Sequence, residues 1–241
     1  MSRHPNEADR LKKILGSFPK VTITVVGDLV ADEFVFGEIS RVSREAPVLI
    51  LKHRERSIVP GGGANAIYNL AALDVNVLPV GAIGDDEPGR ALLKQFRYKH
   101  IPVGGILRDK GHTTVTKTRI LAGMAHTTRQ QVVRVDREPE SEPNQHLKRQ
   151  LGVAALEYVR SSDALLVSDY GYGSASPSIV NGIREKHARV PIVLDYGFVC
   201  CSFPESLPPL PMSPKWKQLS GSRSIRSGSA FAALASRSCR A

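Results

Sequence analysis

Val21-Thr22-Ile23-Thr24-Val25-Val26-Gly27-Asp28 reads as a buried parallel strand. β-branched residues fill it almost without a break, as in strands covered on both faces, and Gly-Asp closes it. Before it, residues 7–16 form a short polar helix with Leu11, Ile14 and Leu15 on one side. After it, Val48 to Leu51 is a short strand, Ala64 to Leu73 a helix of small residues and Val75 to Gly81 a strand. Pro88 to Lys99 is an amphipathic helix. Thr113 to Leu121 and Gln130 to Val135 read as strands either side of a turn at His126-Thr127. Gln145 to Val159 is a helix, Ala164 to Ser168 a strand, Ser176 to His187 a helix and Pro191 to Asp195 a strand. Strands alternating with helices predict an α/β fold of three layers around a parallel sheet. Phe34 to Lys52 breaks the alternation and reads as a small β appendage.

Four stretches carry candidate chemistry. Gly27-Asp28 ends the first strand, with Asp32 four residues on. Ligands of open α/β sheets bind beyond the carboxyl ends of the strands, where a carboxylate accepts bonds from sugar hydroxyls. An aspartate capping a turn fits the same residues. Pro60-Gly61-Gly62-Gly63-Ala64-Asn65 precedes a helix. Its glycines let a ligand approach the backbone at a helix N-terminus, and a plain flexible loop is the competing reading. It matches neither G-x-x-x-x-G-K-[ST] nor G-x-G-x-x-G. Gly81-Ala82-Ile83-Gly84-Asp85-Asp86 reads first as a structural turn. Lys117, Arg119 and Arg134 alternate along two neighbouring strands, with Asp136 among them. Together they suit a phosphate, and equally a solvated strand face.

Taken in order, these motifs resemble the ribokinase-like, PfkB-type carbohydrate kinases. Ser40-Arg41-Val42-Ser43-Arg44-Glu45-Ala46-Pro47-Val48, Thr116-Lys117-Thr118-Arg119 and Leu166-Val167-Ser168-Asp169-Tyr170-Gly171 narrow the resemblance to the heptose 7-phosphate kinase domain. That domain is often fused to an adenylyltransferase. The resemblance covers roughly Lys20 to Asp195. It implies a ribokinase-like parallel sheet with a β lid at about residues 34–52, which also builds a homodimer. It implies ATP-dependent phosphorylation, with Mg²⁺, of the anomeric hydroxyl of D-glycero-D-manno-heptose 7-phosphate, a cytoplasmic step toward ADP-heptose and lipopolysaccharide. Asp28, Asp32, Gly61, Gly62, Gly63 and Asn65 are then expected to line the sugar site. Arg41 lies in the lid, Lys117, Arg119 and Arg134 are candidates for the 7-phosphate, and Asp169 is a further sugar-site candidate.

The sequence departs from that family toward its end. The N-x-x-E element and the D-T-x-G-A-G-D motif, which supplies the anion hole and the base, do not occur in these 241 residues. Without base and anion hole, phosphoryl transfer loses its main sources of rate. The expectation is therefore a chain with little or no kinase activity. The alternatives are a sugar-phosphate-binding fragment and another PfkB-type sugar kinase.

Composition breaks in the same region. Half of the net charge of +10 falls on residues 196–241, which hold all three cysteines, Trp216 and one acidic residue, Glu205. Cys200, Cys201 and Cys239 form neither a disulfide framework nor a ligand set. Periodicity is lost there, so 1–195 is expected to be the substrate-binding portion and 196–241 a disordered tail. A one-base shift of reading over Pro204 to Gly221 permits T-P-N-E-P-E, which restores the N-x-x-E element and suggests an out-of-frame tail. The basic balance invites a nucleic-acid partner. The tail lacks the aromatic interleaving such binding uses, and no partner of that kind is expected. No apolar run is long enough to span a bilayer and no apolar leader precedes Lys20, so no membrane association is expected either.

Overall fold

The computed structural model describes residues 5–124 and 128–196. All of them belong to one unit, Met1–Phe198. The turn expected at His126-Thr127, and everything expected of the tail beyond Tyr196, lie outside the described residues.

The described chain runs α1 (Pro5–Leu15), a 3₁₀ turn, β1 (Thr22–Gly27), β2 (Leu29–Val42), β3 (Leu49–Gly61), α2 (Gly62–Ala72), β4 (Asn76–Gly84) and α3 (Glu87–Tyr98). It continues with β5 (Ile106–Asp109), β6 (Thr116–Gly123), β7 (Gln130–Arg137), α4 (Gln145–Val159), β8 (Ala164–Asp169), α5 (Pro177–Lys186) and β9 (Ile192–Tyr196). The main sheet has the order β5-β4-β1-β8-β9. All its pairings are parallel, with β1 in the middle. The quoted strand is central and buried as its composition requires: Thr24, Val25 and Val26 are fully inaccessible.

Alternation along β1 splits the core in two. Val25 belongs to a cluster with Ala64 and Ile67 of α2 and Leu92, Leu93 and Phe96 of α3. Val26, one residue on, faces the other way, as successive strand residues do. Its register partners Val80 and Val167 are buried with it, on the side where α4 brings Leu147, Leu151, Ala155 and Val159. The three-layer α/β arrangement is thus present.

The β appendage is larger than about 34–52. A single residue separates β1 from β2, and β2 and β3 form a long antiparallel hairpin. β6 joins β2 in parallel and β7 pairs with β6, giving a second sheet β3-β2-β6-β7. The strands expected at Thr113 to Leu121 and Gln130 to Val135 therefore belong to this sheet. The glycine stretch is not a loop: Gly62 and Gly63 are the first residues of α2, behind Gly61 as N-cap. β5, only four residues long, had no signal of its own.

Candidate crevice between the two sheets

In the main sheet the direction of strand succession reverses between β1 and β8, so the crevice at their carboxyl ends is the expected place for a ligand. Asp28 is the single residue between β1 and β2 and is 1% exposed. Its carboxylate accepts three backbone bonds from the strap that follows β8. Tyr170 N–H (2.9 Å) and Tyr172 N–H (3.0 Å) donate to Oδ2, and Ser174 N–H (2.9 Å) donates to Oδ1. A carboxylate has about four lone-pair directions, and three are taken. Asp28 is thus a buried carboxylate satisfied by backbone amides, and it shapes the crevice by fixing the strap.

Asp169, at the end of β8, is 6% exposed and accepts from Gly171 N–H at 2.8 Å. Burial pushes its carboxyl above the usual carboxylate range, the Gly171 bond pulls it down, and the neighbouring Asp28 charge pushes it up again.

Asp32 is more open. It receives a 2.6 Å bond from an Arg119 Nη. Gly61 makes room for it: a Cβ there would stand 2.5 Å from Asp32 Oδ2. Gly62 has a φ of +52°, a region where side chains are rarely found, and a Cβ would meet Val30. Gly63 donates its N–H to the Asp28 carbonyl at 2.9 Å, drawing the start of α2 against the end of β1. Asn65 stands exposed on the first turn of α2.

Register brings the three cations together. Asp32, Lys117 and Asp136 lie side by side across β2, β6 and β7, and Phe34, Arg119 and Arg134 form the next row on the same face. Arg119 also lies over the Phe34 ring, 5.5 Å from its centroid. Each cation already has a partner. Lys117 Nζ donates to Asp136 (3.2 Å) and to the Tyr172 hydroxyl (3.0 Å), and Arg134 holds Asp136 at 2.9 Å. Burial opposes the Lys117 charge, but the bonds to Tyr172 and Asp136 outweigh it and hold its pKa above the ordinary value. At Asp136 burial raises the carboxyl, and the bonds from Lys117 and Arg134 bring it down on balance.

Arg41 is not brought to this cluster. It is exposed near the far end of β2, about 30 Å of strand beyond Asp32. Tyr172 and Glu138 were missed. The Tyr172 hydroxyl donates to Glu138 at 2.7 Å, so both belong to the lysine's surroundings. A tyrosine between Gly171 and Gly173, just past a strand end, was the available signal. Asp85-Asp86 serves structure, as the turn reading had it: Asp86 caps α3 through Gly89 N–H and accepts from the N–H and hydroxyl of Thr114. The crevice thus has the Asp32 carboxylate beside a cationic strand face, an arrangement suited to a polyol with one anionic end.

Among the described residues no His, Cys, Asp or Glu side chains converge in a group of three that could hold a metal ion. No described helix is long and apolar enough to cross a membrane.

A family model described as pfkB family carbohydrate kinase matches residues 23–187. Curated relatives include two proteins named Bifunctional protein HldE. That of Gluconobacter oxydans is 36% identical over 72% of this chain and 36% of its own length. That of Wolinella succinogenes is 38% identical over 70% of this chain and 35% of its own. The chain therefore spans about a third of these relatives. Among solved structures, phosphofructokinase-2 of Escherichia coli aligns with TM-score 0.53 at 16% identity, over 73% of this chain and 54% of that one. An Arabidopsis thaliana ribokinase solved with ribose and ATP aligns with TM-score 0.51 at 16% identity, over 73% and 53%. These two likenesses show the fold.

Proposed function

Because the chain belongs to the pfkB family of carbohydrate kinases, we propose that its described part is the substrate-binding portion of a heptose kinase. The sugar is D-glycero-D-manno-heptose 7-phosphate, held in the crevice between the two sheets. The observation that carries this reading is the convergence of Asp32, Gly61, Lys117, Arg119 and Arg134 on that crevice from β2, β3, β6 and β7. Asn65 and the Asp32 carboxylate orient the hydroxyls, and the cationic row takes the phosphate. The relatives named HldE are bifunctional by name, in keeping with a kinase domain fused to a second enzyme.

In a complete kinase of this kind the phosphoryl group comes from ATP with Mg²⁺ and goes to the anomeric hydroxyl. Among the described residues no group of three His, Cys, Asp or Glu side chains is placed to hold Mg²⁺. In this reading the 241 residues, in which the N-x-x-E and D-T-x-G-A-G-D motifs do not occur, bind the sugar phosphate without transferring phosphate to it. Calorimetric titration with the heptose 7-phosphate, beside a coupled assay for ADP release, tests both halves. Binding without ADP is expected. Sustained ADP formation refutes the inactive reading, and absence of binding refutes the crevice as a sugar-phosphate site.

The second sheet also supports a homodimer. Val35, Ile120 and Val133 share one row across β2, β6 and β7, on the face opposite Asp32, and Val135 follows on the same face. Val133 and Val135 are about half exposed. An apolar sheet face of this kind is best covered by a second copy of itself.

A further inference from the structure

We propose that Tyr172 is a positioning residue that sets where Lys117 stands, so that phosphate recognition in the crevice is governed from the strap of the main sheet as well as from the second sheet. This rests on the sugar-phosphate reading of the crevice.

Lys117 is carried by β6 of the second sheet, and its long stem has rotamer freedom to lose before it can serve a ligand. Its side chain is 19% exposed, so it is held in place before any ligand arrives. Tyr172 does much of the holding. Its hydroxyl accepts from Lys117 Nζ at 3.0 Å and directs its own proton toward Glu138 at 2.7 Å. Its ring centroid lies 5.6 Å from the same ammonium.

The tyrosine is itself anchored. Its backbone N–H is one of the three bound by the buried Asp28 carboxylate. Gly171 and Gly173, at φ +83° and +86°, bend the strap on either side of it. A rigid element of one sheet thereby fixes a flexible cation of the other, and prior fixing lowers the cost of binding. Asp136 also binds Lys117 but lies on β7, in the same sheet, so it cannot relate one sheet to the other.

The test is Tyr172→Phe in the full chain, which keeps the ring and removes the hydroxyl. Affinity for D-glycero-D-manno-heptose 7-phosphate is expected to fall roughly 3- to 10-fold, the worth of one hydrogen bond, while affinity for the unphosphorylated heptose stays unchanged. In a Lys117→Met background the same substitution adds nothing. Equal losses for both sugars, or additive losses in the double variant, mean a merely structural tyrosine and overturn the proposal. If the wild-type chain binds neither sugar, the crevice reading has failed, and amine labelling still decides the positioning role. Acylation of Lys117 by acetic anhydride, read by peptide mass spectrometry against exposed Lys94, should be about threefold faster in the Tyr172→Phe chain. Equal labelling rates would overturn it.

Discussion

Asp169 sits where burial and the Asp28 charge both favour a proton. Its carboxyl is raised in the folded state, so its contribution to stability is full below the unfolded pKa and is lost as pH rises through the folded one. Asp169→Asn keeps an acceptor for Gly171 N–H and removes that loss. The variant should be more stable than wild type at pH 7, with a higher Tm, and the difference should shrink as pH falls through the ordinary carboxylate range. Melting curves across that range check it. Gly61→Ala drives a methyl against the Asp32 carboxylate. It should cost about 1–3 kcal/mol in urea unfolding and, with Asp32 pushed from Arg119, about tenfold in sugar-phosphate affinity. The place of Gly61 and Asp32 at the strand ends was legible, because glycines before a helix and an aspartate past a strand end are local signals. The work of Asp28 was not. Its amide partners lie 142 to 146 residues away in sequence, and no spacing rule reaches that far.

At the scale of elements, the strap after β8 depends on one side chain. Asp28→Ala leaves three amides, of Tyr170, Tyr172 and Ser174, without their acceptor. A buried unpaired donor costs about 1–3 kcal/mol, so a loss of at least about 3 kcal/mol is expected in denaturant unfolding. Amide exchange should quicken first at those three positions, and a loss under about 1 kcal/mol would show that the strap is held otherwise. The buried elements were legible: β1 by its β-branched run, α3 and α4 by their periodicity. The second sheet was legible only in pieces. Its strands are open to solvent on much of their surface, β7 along its whole length, so sequence alternation there records charge partners rather than a core. The hairpin also runs through the polar stretch Lys52-His53-Arg54-Glu55-Arg56 of β3, which gives no strand signal, since only pairing with β2 makes it regular.

For the whole molecule, the apolar row of the second sheet is the feature with the largest consequence for assembly. Val133→Lys together with Val135→Lys should shift the chain from dimer to monomer in light scattering without lowering Tm by more than about 2 °C, because both side chains are solvent-exposed in the single chain. A wild-type chain that already runs as a monomer at micromolar concentration removes the dimer reading.

The central place of β1 also has a meaning in time. It is the first strand made, yet its two neighbours in the main sheet are β4 and β8. The last amide to reach Asp28 comes from Ser174, 146 residues later. At a synthesis rate of about 5–20 residues per second, that interval is roughly 7–30 s. For that time the most apolar strand of the chain has one edge without its partner, and an aspartate destined for burial is still in water. Early closure of the β2–β3 hairpin and of α2 over β1 is the local shelter available meanwhile. A nascent chain of this kind is most open to a chaperone between the emergence of β4 and that of β8.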